Sequence, residues 1–187
     1  MPEMQATFRD TEVKMKLAVD HFHHELRTLR TGRASLAILE GVTVEYYGSP
    51  TPLNQLANLS VPEANLIVAQ PYDPTQIAAI ERAIIQADLG LNPNNDGKLI
   101  RIPVPPLTEE RRREIVKKAH DMAEHARTGV RQARREGNDR LKKLEKDKEI
   151  SQDDERRGHD EVQKLHDHYI GEVNKALESK EKQILEG

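Results

Sequence analysis

Residues 105–151 read PPLTEERRREIVKKAHDMAEHARTGVRQARREGNDRLKKLEKDKEIS, and their reading decides the fold. Beyond the double proline nothing breaks the stretch, and no part of it alternates in the manner of a strand. Its apolar or small positions are Ile115, Ala119, Met122, Ala126, Val130, Ala133, Gly137, Leu141 and Leu144. They recur by threes and fours, close to the roughly 3.6-residue period of an α-helix. The spacing predicts one long helix running to about Asp147, with Thr108 as N-cap and Glu109 and Glu110 opposing the positive end of the helix dipole. At about 1.5 Å per residue such a helix extends roughly 60 Å. Its apolar stripe has to face other helices. Beside that stripe, at about 100° per residue, Arg127, Arg131, Arg134 and Arg135 fall within an arc of roughly 100°. Asn138 and Lys142 continue the face, and Glu124 and Glu145 bound it.

Two further helices are expected to cover the stripe. From about Glu3 to Arg30, Phe8, Met15, Phe22 and Leu29 stand at heptad intervals with Val19 and Leu26 between them, an amphipathic helix with a coiled-coil-like seam. After a tight reversal at KEISQDDERR, Ser151 caps a third helix whose seam is Val162, Leu165, Tyr169, Val173, Leu177 and Ile184. Three such helices with a short connection at the far end form an elongated bundle.

The pattern between helices one and two differs. Gly32 in RTGRAS is a helix breaker, and VTVEYYG reads as a strand entering a turn. A proline-punctuated segment, SPTPLNQLANLSVPEAN, follows, and NLIVAQP reads as a short, mostly apolar strand. DPTQIAAIERAIIQADLG predicts a short helix with Asp73 as N-cap, Pro74 in its first position and Gly90 just past its end. NPNNDGKLIRIPVPP gives a turn and a last strand with Ile100, Ile102 and Val104 on one face. The fold class is therefore α+β: a three-helix bundle domain from 1–30 and 106–187, with a small β/α/β domain inserted at 31–105. Two chain segments join them, so a limited hinge at Thr31, Gly32, Pro105 and Pro106 is expected.

Composition bounds the function. The 187 residues are 36% hydrophobic, 33% charged and poor in aromatics, which suits elongated pieces with thin cores. The net charge of -3 hides a local asymmetry, because cations outnumber acids about two to one between Arg127 and Lys148. A basic stripe on an acidic chain suggests one polyanion-binding face. No cysteine occurs, so thiol chemistry and disulfides are excluded. The N-terminus MPEMQATFRD has no apolar signal segment and no run is long enough to span a bilayer, so a cytoplasmic protein without a membrane partner is expected.

Catalytic constellations are missing: no HExxH, no GxSxG, and carboxylates placed mostly on helix surfaces opposite Lys or Arg. NPNNDG lacks every phosphate-loop signature and reads as a plain turn. His21, His23 and His24 do not complete a metal ligand set and read as exposed helix residues. No enzyme, cofactor or metal is expected. For the arginine stripe three readings stay open: nucleic-acid contact, a protein partner, or a solvated face. Arginine forks pair with phosphate and stack on exposed bases, which suits RNA.

The strings LRTGRAS, VTVEYYGSPTPLNQLA, DLGLNPNNDGKLIRIPVPPLTEERRRE, VRQARREGND and DKEISQDDERR, in that order, resemble the bacterial ribosome recycling factors over essentially the whole chain. The resemblance implies an L-shaped molecule, similar in outline to a transfer RNA, with bundle and small domain joined by a hinge. It implies a monomeric cytoplasmic factor that, with elongation factor G and its GTP hydrolysis, splits the post-termination ribosome and itself hydrolyses nothing. The bundle of such factors contacts large-subunit ribosomal RNA near the intersubunit bridges. Matched by motif, Arg30 and Arg33 of RTGR and Arg131, Arg134 and Arg135 of VRQARRE are the RNA-contact candidates; Arg127 is added from the stripe alone. The alternative from another class is a coiled-coil adaptor that binds protein partners through its acidic third helix without RNA.

Overall fold

The computed structural model describes residues 2–187. The chain forms two compact units, one from residues 1–29 and 113–183, the other from 30–112 and 184–187.

The first unit is helical. Helix α1 covers Pro2–Thr28, ending two residues before the position that the heptad suggested. Its buried residues are Thr7, Thr11, Met15, Val19, Phe22 and Leu26, so the seam runs through two threonines that the sequence pattern passed over. The Thr7 hydroxyl is satisfied locally, donating to the Glu3 carbonyl at 2.9 Å. Two long helices of the chain, here numbered in order with the two short ones between them (α2, Leu53–Leu56; α3, Ile77–Gln86), are α4 over Glu109–Lys146 and α5 over Gln152–Glu186. The α4 stripe is made of small residues, with Ala119, Ala123, Ala126, Val130 and Ala133 buried. Ala123 rather than Met122 lies fully inside, and Met122 packs at the edge. Against these sit Met15 and Phe22 of α1 and Tyr169, Val173 and Leu177 of α5. Burying each large side chain contributes roughly 1.5–3 kcal/mol.

Small residues let the helices approach. A Cβ on Gly137 would lie 2.6 Å from the Thr11 hydroxyl oxygen, and one on Gly158 would lie 2.8 Å from Leu141 Cδ1. The reversal between α4 and α5 has two well-defined caps. The Lys148 amide donates to the Glu145 carbonyl and the Glu149 amide to the Leu144 carbonyl, both at 2.9 Å, the paired bonds of a Schellman ending. Lys148 accordingly takes a left-handed backbone, φ 60°. Ser151 then opens α5: its hydroxyl accepts from the Asp154 amide at 3.1 Å while the Asp154 carboxylate accepts from the Ser151 hydroxyl and amide, a reciprocal capping box.

The second unit is built on antiparallel strands. β1 (Thr43–Tyr46) pairs with β2 (Ser49–Pro52), and β3 (Ala57–Glu63), β4 (Leu66–Pro71), β5 (Asn94–Asn95) and β6 (Ile100–Pro103) form a sheet in the order β3-β4-β6-β5. Strands β2 and β3 occupy the proline-punctuated segment. Its prolines are tolerated because both strands are at edges, where a missing N–H interrupts no inner ladder, and Pro62 falls at the bulge between Ser60 and Glu63. Ile67, Ala69, Ile100 and Ile102 of the sheet pack with Ile77, Ile80 and Ile84 of α3. The segment from Asp73 starts as a 3₁₀ turn at Pro74–Gln76, capped by the Asp73 carboxylate, before α3 takes over. It ends earlier than Gly90 suggested, with Asp88 already left-handed at φ 51°.

Candidate nucleic-acid interface

Helix α4 positions four of the six candidate arginines. Arg127, Arg131, Arg134 and Arg135 lie on one arc of it, next to the buried stripe and on the side toward α5, but their circumstances differ. Arg127 is half-buried, its side chain 20% exposed. Its Nε and Nη2 donate to Asn174 Oδ1 at 3.1 and 2.8 Å, and its Nη1 donates to Glu124 at 3.1 Å. The fork is thus occupied in joining α4 to α5. Arg131 donates to the other Glu124 oxygen at 2.8 Å and keeps 42% of its side chain exposed. Arg134 donates one Nη1 bond to Gln163 of α5 at 3.0 Å. Arg135 is exposed and has no hydrogen bond or ion pair among the described residues.

The electrostatics follow from these pairs. Hydrogen bonds from Arg131 and then Arg127 hold the Glu124 carboxyl below the usual glutamate range, so one carboxylate offsets the start of the stripe. At its far side Asp167 is also held low, chiefly by hydrogen bonds from His166 and Gln163, with a smaller contribution from Arg134. Gln163 donates to Asp167 while accepting from Arg134, and this relay fixes where the Arg134 fork points. Between the two carboxylates, Arg131, Arg134 and Arg135 present the N–H groups that remain available. That arrangement can grip a few phosphates, and its planar forks can stack on a base. Asn138 continues the face half-buried, with its carbonyl oxygen buried and unpartnered.

Arg30 and Arg33 belong to the other unit. Arg30 is half-buried with its guanidinium against Gly90, where an added Cβ would stand 3.8 Å from Nη1. Arg33 is exposed, and neither has a hydrogen bond among the described residues. Of the hinge candidates, Gly32 is left-handed at φ 83° with a position for Cβ 3.6 Å from Leu107, and Thr31, Pro105 and Pro106 lie in irregular backbone. His21, His23 and His24 are exposed. Among the described residues no group of three or more His, Asp or Glu could hold a metal ion, and no helix is long and apolar enough to cross a membrane. What the sequence pattern missed is the contribution of α5: Asn174 and Gln163 are single amides whose reach across a helix pair leaves no periodic signal.

The sequence profile of the family described as Ribosome recycling factor matches residues 22–185. The chain belongs to the ribosome recycling factor family. A ribosome-recycling factor of Natranaerobius thermophilus is 53% identical over 181 residues, covering 97% of this chain and 98% of that one. The corresponding factor of Desulfosudis oleivorans is 50% identical over 98% of this chain and 99% of its own. Among solved structures, the solution structure of a ribosome recycling factor superposes with a TM-score of 0.81 at 45% identity over the full length of both chains. A second, at TM-score 0.66 and 41% identity over 97% of this chain and 98% of that one, is a Thermus thermophilus ribosome recycling factor in models with Escherichia coli elongation factor G bound to the E. coli post-termination complex. Recycling factors of this family thus match the chain across both of its compact units.

Proposed function

We propose that the chain acts as its family name says: with elongation factor G and GTP, it dissociates the post-termination ribosome into subunits that can re-enter translation. The observation that carries this reading is the end-to-end likeness to a factor described together with elongation factor G on the post-termination complex. In this reading Arg131, Arg134 and Arg135 grip ribosomal RNA of the large subunit near the intersubunit bridges. Arg127 sits beside them and holds α5, so that the Asn174 contact steadies the helix surface on which the gripping forks stand. Arg30 and Arg33 supply further RNA contacts from the sheet unit.

Force from elongation factor G then moves the sheet unit about Thr31, Gly32, Pro105 and Pro106, while the arginines keep the helical unit on the RNA. The positive φ at Gly32 supports a pivot there, because a side chain would add strain to the tether. The chain supplies binding and a lever and is not itself an enzyme: GTP is hydrolysed by the partner. It works as a cytoplasmic monomer. The test uses purified post-termination ribosomes with elongation factor G and GTP, resolved on a sucrose gradient. Subunits should accumulate only when the chain is added. Intact ribosomes persisting at saturating chain would overturn the reading.

A further inference from the structure

The arginines assigned to the RNA grip are held in different ways. Arg131 is paired with a carboxylate, Glu124, at 2.8 Å. Arg135 is exposed and has no partner among the described residues. Arg134 differs from both: its Nη1 donates to Oε1 of Gln163 on α5 at 3.0 Å, while its Nε and Nη2 have no partner among the described residues. A carboxylate partner offsets the charge of a guanidinium, whereas a neutral amide fixes its direction and leaves the charge in full.

Gln163 can do this only if its amide does not turn over. Arginine donates and never accepts, so Oε1 has to face α4. About one turn along α5, Asp167 settles the other end of the amide by accepting from Nε2 at 2.8 Å. Asp167 is itself held by His166, whose Nδ1 stands 2.9 Å from the same oxygen and whose side chain is only 14% exposed. These bonds keep the Asp167 carboxyl below its usual range, so at neutral pH it accepts and does not donate. A Gln–Asp pair at this spacing stabilises a helix slightly on its own. That effect requires nothing of α4, and it leaves the bond from Gln163 to Arg134 unexplained.

We propose that Gln163, oriented by Asp167, is a positioning residue for the RNA grip: it presets the Arg134 fork for phosphate while keeping the nearest α5 carboxylate one side chain away from the guanidinium. A fork held in advance loses less side-chain freedom on binding. Releasing it should cost about two- to tenfold in affinity. The inference rests on the ribosome reading above and adds α5 to the grip.

The experiment measures the affinity of the full chain for purified large ribosomal subunits, and its salt dependence. Gln163→Ala alters no charge and replaces an exposed residue by a better helix former. It should weaken binding about two- to tenfold with a nearly unchanged salt slope, because Arg134 still reaches its phosphate. In an Arg134→Ala background the same substitution should cost nothing, whereas a merely structural role would cost as much there. Asp167→Asn and Asp167→Ala remove the same charge, but only asparagine keeps an acceptor for Gln163. The asparagine variant should therefore bind a few-fold more tightly than the alanine variant, against the order of helix propensity. An unchanged affinity for Gln163→Ala, an equal cost with and without Arg134, or equal binding by the two Asp167 variants would each overturn the inference alone. Failure of the unaltered chain to bind large subunits would strike the ribosome reading, and the inference with it.

Discussion

Replacing Gly137 by alanine sets two opposing effects against each other in the middle of α4. Helix propensity favours alanine over glycine by about 0.8–1.0 kcal/mol. Against this, the new Cβ would sit 2.6 Å from Thr11 Oγ1 and 3.2 Å from Thr11 Cγ2, whereas nonbonded carbon contacts prefer about 3.5–4.0 Å. Thr11 cannot swing clear, because it is 3% exposed and β-branching restricts its χ1. The helices must separate or the rotamer must leave its well, and such overpacking costs about 1–3 kcal/mol. The expected net effect is a loss of about 1 kcal/mol. In a Thr11→Ala background only the Thr11 Cβ remains, 3.5 Å away, an ordinary contact, so Gly137→Ala should there stabilise by up to about 1 kcal/mol. Urea unfolding followed by helical circular dichroism, with midpoints compared at constant m, gives all four corners of the cycle. Gly171→Ala is the control, since nothing lies within 4 Å of its Cβ position, and it should stabilise. If Gly137→Ala stabilised equally with and without Thr11, close approach of α1 and α4 would not explain that glycine.

Other consequences follow from single residues. Lys148→Gly should raise stability by about 1 kcal/mol, because glycine accepts the left-handed position of the Schellman ending without the strain that lysine bears; an unchanged urea midpoint would contradict this. Asp96 accepts hydrogen bonds from the Leu99 and Lys98 amides and from Arg101, which lower its pKa from 3.8 to about 2. Its folded-state value is the lower one, so its contribution is present above the unfolded value near 3.8 and fades as pH falls toward about 2. Asp96→Asn should therefore lower the melting temperature at neutral pH, with the difference shrinking across that acid window; a difference independent of pH would count against the charge.

The helices were legible because their signal is local and repeated. The spacing in α4, the Ser151 and Thr108 caps and the reversal before Ser151 each rest on residues within one or two turns, and Thr108 does accept the Arg111 amide at 3.2 Å. Where the reading failed, the missing information was tertiary. The segment with prolines 50, 52 and 62 takes no strand assignment from its sequence, because sequence does not show which strands are edges. Thr7 and Thr11 looked polar, but one bonds its own helix and the other lies where Gly137 leaves room. In the stripe, periodicity placed four arginines on one face but could not separate Arg127, locked onto Asn174, from Arg135, which has no partner among the described residues. That difference sets which forks have N–H groups left unengaged.

The central claim is that Arg131, Arg134 and Arg135 hold ribosomal RNA. Its most direct test is the salt dependence of binding to purified large ribosomal subunits, for the unaltered chain and for Arg134→Ala, Arg135→Ala and Arg127→Ala. Each lost phosphate contact should make the slope of log affinity against log salt shallower by about 0.7–0.9. Arg134→Ala and Arg135→Ala should each show that change, while Arg127→Ala should lower the melting temperature and leave the slope nearly as it was. Slopes unchanged by Arg134→Ala and Arg135→Ala, with the helices intact by circular dichroism, would contradict the claim.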